Sequence, residues 1–347
     1  MNFSSTLIEW YKINKRELPW RSTTNPYFIW ISEIILQQTK VEQGIPYYYK
    51  FIQHFPTIQK LASADQELVL KLWQGLGYYS RARNLHESAK FIIKNYEGKF
   101  PDNYNEILKL KGVGTYTAAA VASFSFGLPY AVVDGNVIRV LSRIHGLNFP
   151  FNSTIGKKYF IEIAQKLLDK LNPAENNQAI MEFGALQCTP KSPKCSICPF
   201  VNECIAFRTN TIDKFPIKSK KLKVKKRYLN YFLLKKRKEI LIGKRNNGIW
   251  KGLYDLPFIE FLFPSTETEV LKSNEWNIFF KNINYKIICV SNVTVHKLSH
   301  QHLYSRFWTL EVNNFELEYF SFIKSSKICD LPVPRLLDKF LKDNNIV

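Results

Sequence analysis

The sequence predicts a mainly α-helical amino-terminal domain that ends in a cysteine-ligated metal loop, followed by a smaller mixed α/β domain. Three observations lead there. Residues 4 to about 207 place apolar side chains three and four apart, as in Leu7, Trp10 and Tyr11, in Ile31, Ile34 and Ile35, and in Leu68 and Leu72, the repeat of a helix with one buried face. Four of the six cysteines, Cys188, Cys195, Cys198 and Cys204, fall within one short run. Beyond residue 228 the pattern changes to stretches rich in aromatic and β-branched residues, at Tyr228 to Leu234, Ile240 to Lys244, Lys286 to Val295 and Arg306 to Val312, which is how strands read.

A chain of 347 residues is long enough for about two domains, each with its own core. Lys and Arg number 49 against 29 Asp and Glu, a formal charge of +20. Such an excess favours a polyanionic partner, nucleic acid first, because each cation set against a phosphate releases condensed counterions. The bland alternative is a basic surface that only keeps the protein dispersed. Met1 to Leu18 mixes apolar residues with Lys and Arg and lacks the hydrophobic core of a signal peptide. The longest weakly polar stretch, Ala118 to Val133, is broken by Ser123, Ser125, Gly127 and Pro129, too interrupted for a membrane span. An intracellular, cytoplasmic protein that enters no membrane is expected.

Along the first domain, Pro46, Pro56, Pro101 and Pro129 with glycine-containing turns divide the helices into short segments. Within 104–126 the run LKGVGTYTAAAV, Leu110 to Val121, sets Gly112 and Gly114 in a turn between two helices, one ending near Leu110 and one starting near Thr115. Glycines there allow close approach, so backbone N–H groups and the positive end of the second helix can face a phosphate; this is the pattern of a helix-hairpin-helix DNA-binding element. Residues 208–227 read as a basic linker, with eight Lys or Arg and no acid from Lys214 to Arg227. Residues 228–347 form the mixed α/β domain.

The cysteines stand in the order C-x6-C-x2-C-x5-C over 188–204. Cys195 and Cys198 are too close for an easy structural disulfide, and Cys289 and Cys329 are distant singletons, so a metal centre is favoured. Zinc usually takes two C-x2-C halves separated by a longer loop, whereas one unbroken irregular run suits an iron-sulfur cluster. Spacing leaves both open.

The order of helix-hairpin-helix, VVDGNV at Val132 to Val137 with Asp134, and the four cysteines resembles the endonuclease III superfamily of base-excision DNA glycosylases. That resemblance implies the helix-hairpin-helix DNA glycosylase fold and one 4Fe-4S cluster held by Cys188, Cys195, Cys198 and Cys204. WISEIILQQT at Trp30 to Thr39, LPWR at Leu18 to Arg21 and GLGYYSRARNL at Gly75 to Leu85 are similar to the A/G-specific adenine glycosylase (MutY) family, nearly continuously over 18–207. The family resemblance implies excision of adenine mispaired with 8-oxoguanine or guanine in double-stranded DNA, by a chain expected to be monomeric and, in a bacterium, nucleoid-associated. Contacts with replication or repair proteins are left open.

The same resemblance assigns roles. Glu33 protonates adenine N7, which requires a carboxyl kept neutral by burial. Asp134 stays ionised beneath the sugar, where positive charge grows, with Tyr116 and Asn136 hydrogen-bonded to it. Arg21 and Gln178 line the adenine pocket. Gln38 and Tyr78 insert into the duplex, with Thr39 and Leu76 touching the lesion, since a flipped base leaves a gap; Gly112 and Gly114 hold the backbone, and Lys111 is at best a phosphate contact. Ile240 to Pro257 resembles the opening strands of a Nudix-like domain, but Glu260 to Glu275 lacks the R-E-x2-E-E metal helix, so binding is expected there rather than pyrophosphate hydrolysis. Leu298, Ser299 and His300 match the family's F-S-H lesion-recognition loop, with leucine in place of phenylalanine. His296 and His302 flank it, and metal binding is the alternative for that cluster.

Tyr116 occupies the position at which strand-cleaving relatives carry a Schiff-base lysine. Borohydride reduction during reaction with a mispaired duplex is therefore expected to capture no covalent protein–DNA adduct on denaturing gels; efficient capture would assign a lyase instead.

Overall fold

The computed structural model describes residues 2–219, 224–313 and 315–346. Contacts divide the chain into two units, Met1–Ser63 with Asn84–Lys220, and Ala64–Arg83 with Lys221–Val347. The amino-terminal domain expected as a continuous 1–207 thus gives Ala64–Arg83 to the second unit. The boundary falls inside the expected 208–227 linker, of which residues 220–223 lie outside the described residues.

Twelve helices are described before the boundary: α1 Phe3–Asn14, α2 Pro26–Leu36, α3 Val41–His54, α4 Ile58–Ser63, α5 Gln66–Leu72, α6 Ser80–Tyr96, α7 Tyr104–Leu108, α8 Thr115–Phe126, α9 Gly135–His145, α10 Thr154–Leu167, α11 Pro173–Leu186 and α12 Ile205–Arg208. Their starts follow local chemistry. Asn2, Asn25, Asn103, Asp134 and Ser153 each cap a helix by accepting a backbone N–H, and Pro26 and Pro173 stand in first turns, where the missing N–H costs nothing. Pro46, expected to separate two helices, instead lies inside α3. It stands early in that helix, where proline forfeits a single intrahelical bond and burial of Tyr48 and Phe51 outweighs the loss.

The first unit's main core joins Leu7 and Tyr11 of α1, Val137, Val140, Leu141 and Ile144 of α9, Phe160 of α10, Ala179 and Phe183 of α11, and Phe200, with Cys188, Cys198 and Cys204 packed against it. The cysteine loop is therefore seated on the same apolar floor that fixes α9 and α11. A smaller cluster of Ala119, Ala120 and Val132 packs with Tyr104 and Tyr116. Among the described residues no helix is long and apolar enough to cross a membrane.

The second unit centres on a mixed sheet. Its strands are β1 Lys225–Lys236, β2 Glu239–Lys244, β3 Tyr254–Asp255, β4 Phe258–Phe261, β5 Tyr285–Val290, β6 Thr294–Lys297, β7 Gln301–Val312 and β8 Phe320–Lys324. β1 and β7 run parallel at the centre; β2 and β4 pair antiparallel with β1, β5 and β6 with β7, and β3 and β8 with β2. The first half of β7 shows the pleat, with Leu303, Ser305 and Phe307 buried and Tyr304 and Arg306 between them half-buried. Helices α13 Glu267–Leu271, α14 Asn274–Phe279, α15 Ser325–Ile328 and α16 Arg335–Asp343 complete the unit, and Trp276, Phe280 and Trp308 anchor its core.

Ala64–Arg83 is held in this unit by polar anchors along its first half. Glu67 accepts from Lys244 Nζ at 2.7 Å and from the Tyr254 hydroxyl at 3.0 Å. Lys71 Nζ donates to the carbonyls of Cys329 and Leu331, and Gln74 Nε2 donates to Asp338 at 3.1 Å.

Asn177, buried on α11, ties down the strand of chain that leads to Asp134. It accepts from Val132 N at 3.0 Å and donates to Tyr130 O at 2.8 Å and Ser123 Oγ at 2.9 Å. Asn177→Ala is expected to cost about 2–4 kcal/mol, read as a lower urea midpoint with an unchanged slope.

Candidate active site

A cavity of about 560 Å³ in the first unit is lined by Glu33, Tyr116, Asp134, Asn136, Arg21 and Gln178 together. Six residues singled out in the sequence from five separate stretches thus meet at one opening, as does Thr39. Its size suits a purine nucleoside.

Glu33 is placed by α2. Ile29, Trp30, Ile31, Ile34 and Ile35 are all buried, so the helix is apolar nearly all round and lies in the interior. Its acid is carried in with them, 5% exposed. Burial pushes the Glu33 carboxyl up to about 7; the negative Asp134 adds to the rise, while a hydrogen bond from Tyr116 and the Arg21 charge oppose it.

Asp134 has two roles at once. It caps α9, accepting from Val137 N at 2.8 Å, and its second oxygen accepts from Asn136 Nδ2 at 2.7 Å while still facing the cavity. Burial raises its carboxyl above the ordinary value, and those hydrogen bonds with Arg139 hold the rise back. Tyr116, expected on Asp134, is hydrogen-bonded to Glu33 instead. The reason is position: Tyr116 lies in the first turn of α8, and α8 packs on α2. Asn136 does serve Asp134 as expected.

Arg139 holds Asn136. Its Nη2 donates to Asn136 Oδ1 at 2.8 Å and to Gly184 O at 2.6 Å, and its Nε to Cys188 O at 2.8 Å. A Cβ on Gly184 would stand 2.6 Å from Asn136 Cβ, so only glycine lets α11 approach this closely.

Sequence reasoning missed Glu182 and Arg16. Both line the cavity. Arg16 binds Glu182 through its Nε at 2.9 Å and Nη2 at 2.8 Å, and Arg21 Nη2 reaches the same carboxylate at 2.9 Å. These guanidinium partners overcome desolvation and hold Glu182 down at about 2. A lone acid within the apolar run AIMEFGAL was the available signal. Gln178 accepts from the Tyr11 hydroxyl at 2.7 Å.

The four cysteines line one narrow apolar cavity with Arg143, Phe183 and Ile212, and all four are free thiols. Backbone N–H groups of Phe200, Ala206 and Phe207 point at Cys198 and Cys204, and Arg143 Nη1 donates to Cys188 Sγ at 3.5 Å. Donors aimed at sulfur favour thiolates, the form that ligates metal.

Gly112 takes φ +80° in the turn between α7 and α8, and Gly114 caps α8, with α7 ending at Leu108, slightly earlier than expected. Lys111 forms an ion pair with Glu87. Gln38 is exposed, and its φ of +57° is strained for a side-chain-bearing residue.

In the second unit Tyr78 is exposed with φ +48°, and its hydroxyl meets that of Ser299. Leu298, Ser299 and His300 form the turn between β6 and β7. Leu76 is packed inside, 7% exposed. His296 stacks edge-on to Trp250. Glu269, one of the acids scattered where a Nudix metal helix would lie, is committed to a capping box with Thr266.

Residues 31–155 match the model of the HhH-GPD superfamily base excision DNA repair protein, and residues 230–343 that of the NUDIX domain. An adenine DNA glycosylase from Buchnera aphidicola subsp. Baizongia pistaciae is 38% identical over 309 residues, covering 87% of this chain and 84% of its own. The human adenine DNA glycosylase is 44% identical over 213 residues, 59% of this chain and 39% of its own. Among solved structures, a thermostable thymine-DNA glycosylase aligns with TM-score 0.56 at 33% identity, over 60% of this chain and 95% of its own. A trapped endonuclease III–DNA covalent intermediate aligns with TM-score 0.53 at 22% identity, over 60% and 94%, a likeness of fold.

If protonated Glu33 is the reactive form, turnover must fall as pH rises through about 7 and fall again in acid where Asp134 takes a proton. Single-turnover rates across pH should trace this bell; a plateau extending well above pH 8 would exclude Glu33 as the acid.

Proposed function

The chain belongs to the adenine DNA glycosylase family, and on that premise we propose that Glu33 and Asp134 divide the work of breaking the bond between adenine and deoxyribose, opposite 8-oxoguanine or guanine. The protein is a DNA glycosylase of base excision repair. What supports the division of labour is one observation: both carboxyls open onto a single purine-sized cavity, and Glu33 is the one burial keeps protonated near neutrality.

Adenine leaves poorly as an anion, so Glu33 donates its proton to N7 while the glycosidic bond lengthens. Positive charge then grows at the anomeric carbon. Asp134, which lines the same cavity, stabilises it electrostatically or through a short-lived bond. Ionised Glu33 next accepts a proton from the attacking water, leaving an intact strand with an abasic site. Arg21 and Gln178 hold the base. Gln38 and Tyr78 fill the gap left by the flipped nucleotide, and the turn at Leu298 to His300 reads 8-oxoguanine.

A 4Fe-4S cluster fits the cysteine loop. Cys188, Cys195, Cys198 and Cys204 would be its ligands, since all four line one cavity with Arg143 and backbone N–H groups directed at their sulfurs, and one unbroken irregular run suits such a cluster better than zinc's usual paired C-x2-C halves. Bound there, it would cross-link the loop into one rigid piece.

Glu33→Gln keeps the shape and removes the proton. Excision from an 8-oxoguanine:A duplex, read as alkali-induced breakage at the adenine, should fall by at least about 10³-fold, with duplex affinity within about tenfold; retained turnover would refute the assignment. Cys198→Ser should abolish the visible iron-sulfur absorption and lower the melting temperature, whereas a colourless wild-type protein containing zinc would overturn the cluster.

A further inference from the structure

The cavity presents a problem of charge. Arg21 lines it and so does Glu33, and a guanidinium beside a carboxylic acid favours loss of the proton that the acid must keep. Arg16 brings a second guanidinium to the same wall. Glu182 is the carboxylate between them, 1% exposed. Its Oε1 accepts from the backbone N and Nε of Arg16, both at 2.9 Å, and its Oε2 from Arg16 Nη2 at 2.8 Å and Arg21 Nη2 at 2.9 Å. Arg21 is further fixed by donating Nη1 to Arg16 O at 3.0 Å.

We propose that Glu182 is a positioning residue for the acid: it pins Arg21 against the pocket wall and offsets the paired guanidinium charge, so that Arg21 can touch the purine without drawing the proton from Glu33. With Glu182 ionised the trio carries one net positive charge; without it, two. Charged and titratable neighbours enter the cavity from other elements too. Tyr116 and Asp134 come from the starts of α8 and α9, and Lys40 and Glu42 from the turn into α3. Glu42 adds its charge to Arg16, whereas Glu182 accepts hydrogen bonds from both guanidinium groups. The proposal rests on the reading of Glu33 as proton donor.

The test is the pH dependence of single-turnover excision by the full-length protein on an 8-oxoguanine:A duplex. Glu182→Gln keeps the hydrogen-bonding shape and removes the charge, so the alkaline limb should move to lower pH by roughly one unit. Glu182→Asp should restore it toward wild type. Arg21→Met, which leaves Glu182 held by Arg16, should move the limb the other way, and it carries the test if Glu182→Gln does not fold. A uniform loss of rate in Glu182→Gln with the limb unmoved, or an alkaline limb unmoved in Arg21→Met, would overturn the proposal. Glu33→Gln separates the two readings: if it still excises adenine, the acid assignment fails; if it is dead while the limb stays put in the other variants, only the role of Glu182 fails.

Discussion

Two carboxylates opening on one cavity cannot both be comfortably charged, and the rest of the catalytic unit decides which gives way. Asp134 caps a helix and receives Asn136, so its charge is met by hydrogen bonds. Glu33 lies on a helix apolar on nearly every side and has chiefly the Tyr116 hydroxyl beside it. The proton therefore settles on Glu33. An interior helix carrying a single acid is costly for stability, and that cost is what supplies a neutral carboxylic acid near pH 7.

Arg139 connects this site with the cysteine loop. One guanidinium grips Asn136, the carbonyl of Gly184 and the carbonyl of Cys188, so the loop that holds the ligands and the residue that orients Asp134 share an anchor. Arg143, one turn further along α9, binds the carbonyls of Thr189 and Pro190 and the sulfur of Cys188. The cysteine loop is thus tied to α9 by two buried arginines as well as by the apolar contacts of Phe183 and Phe200. Rigid support of this kind fixes catalytic groups to within fractions of an ångström.

The second unit takes a segment from the middle of the sequence, Ala64–Arg83, and anchors it through Glu67, Lys71 and Gln74. Tyr78 at the tip then meets Ser299 of the β6–β7 turn. Two chain-distant pieces named in the sequence for reading the lesion are neighbours, and Tyr78 is held in a left-handed backbone conformation that contacts around it must maintain.

The sequence by itself determined the helix starts, the alternating strands, the glycine turn at Gly112 and the cysteine run, because caps, pleats, positive φ and ligand spacing act over a few residues. It also supplied Glu33 and Asp134, through motifs that travel intact. Only the tertiary structure decided that Tyr116 serves Glu33 rather than Asp134, that Asp134 is both cap and cavity carboxylate, and that Glu182 binds Arg16 and Arg21. It likewise decided that residues 64–83 join the second unit. Those outcomes depend on which helices pack together, and on how much water that packing removes from each charge. Neither quantity is carried by residues close to one another in the chain.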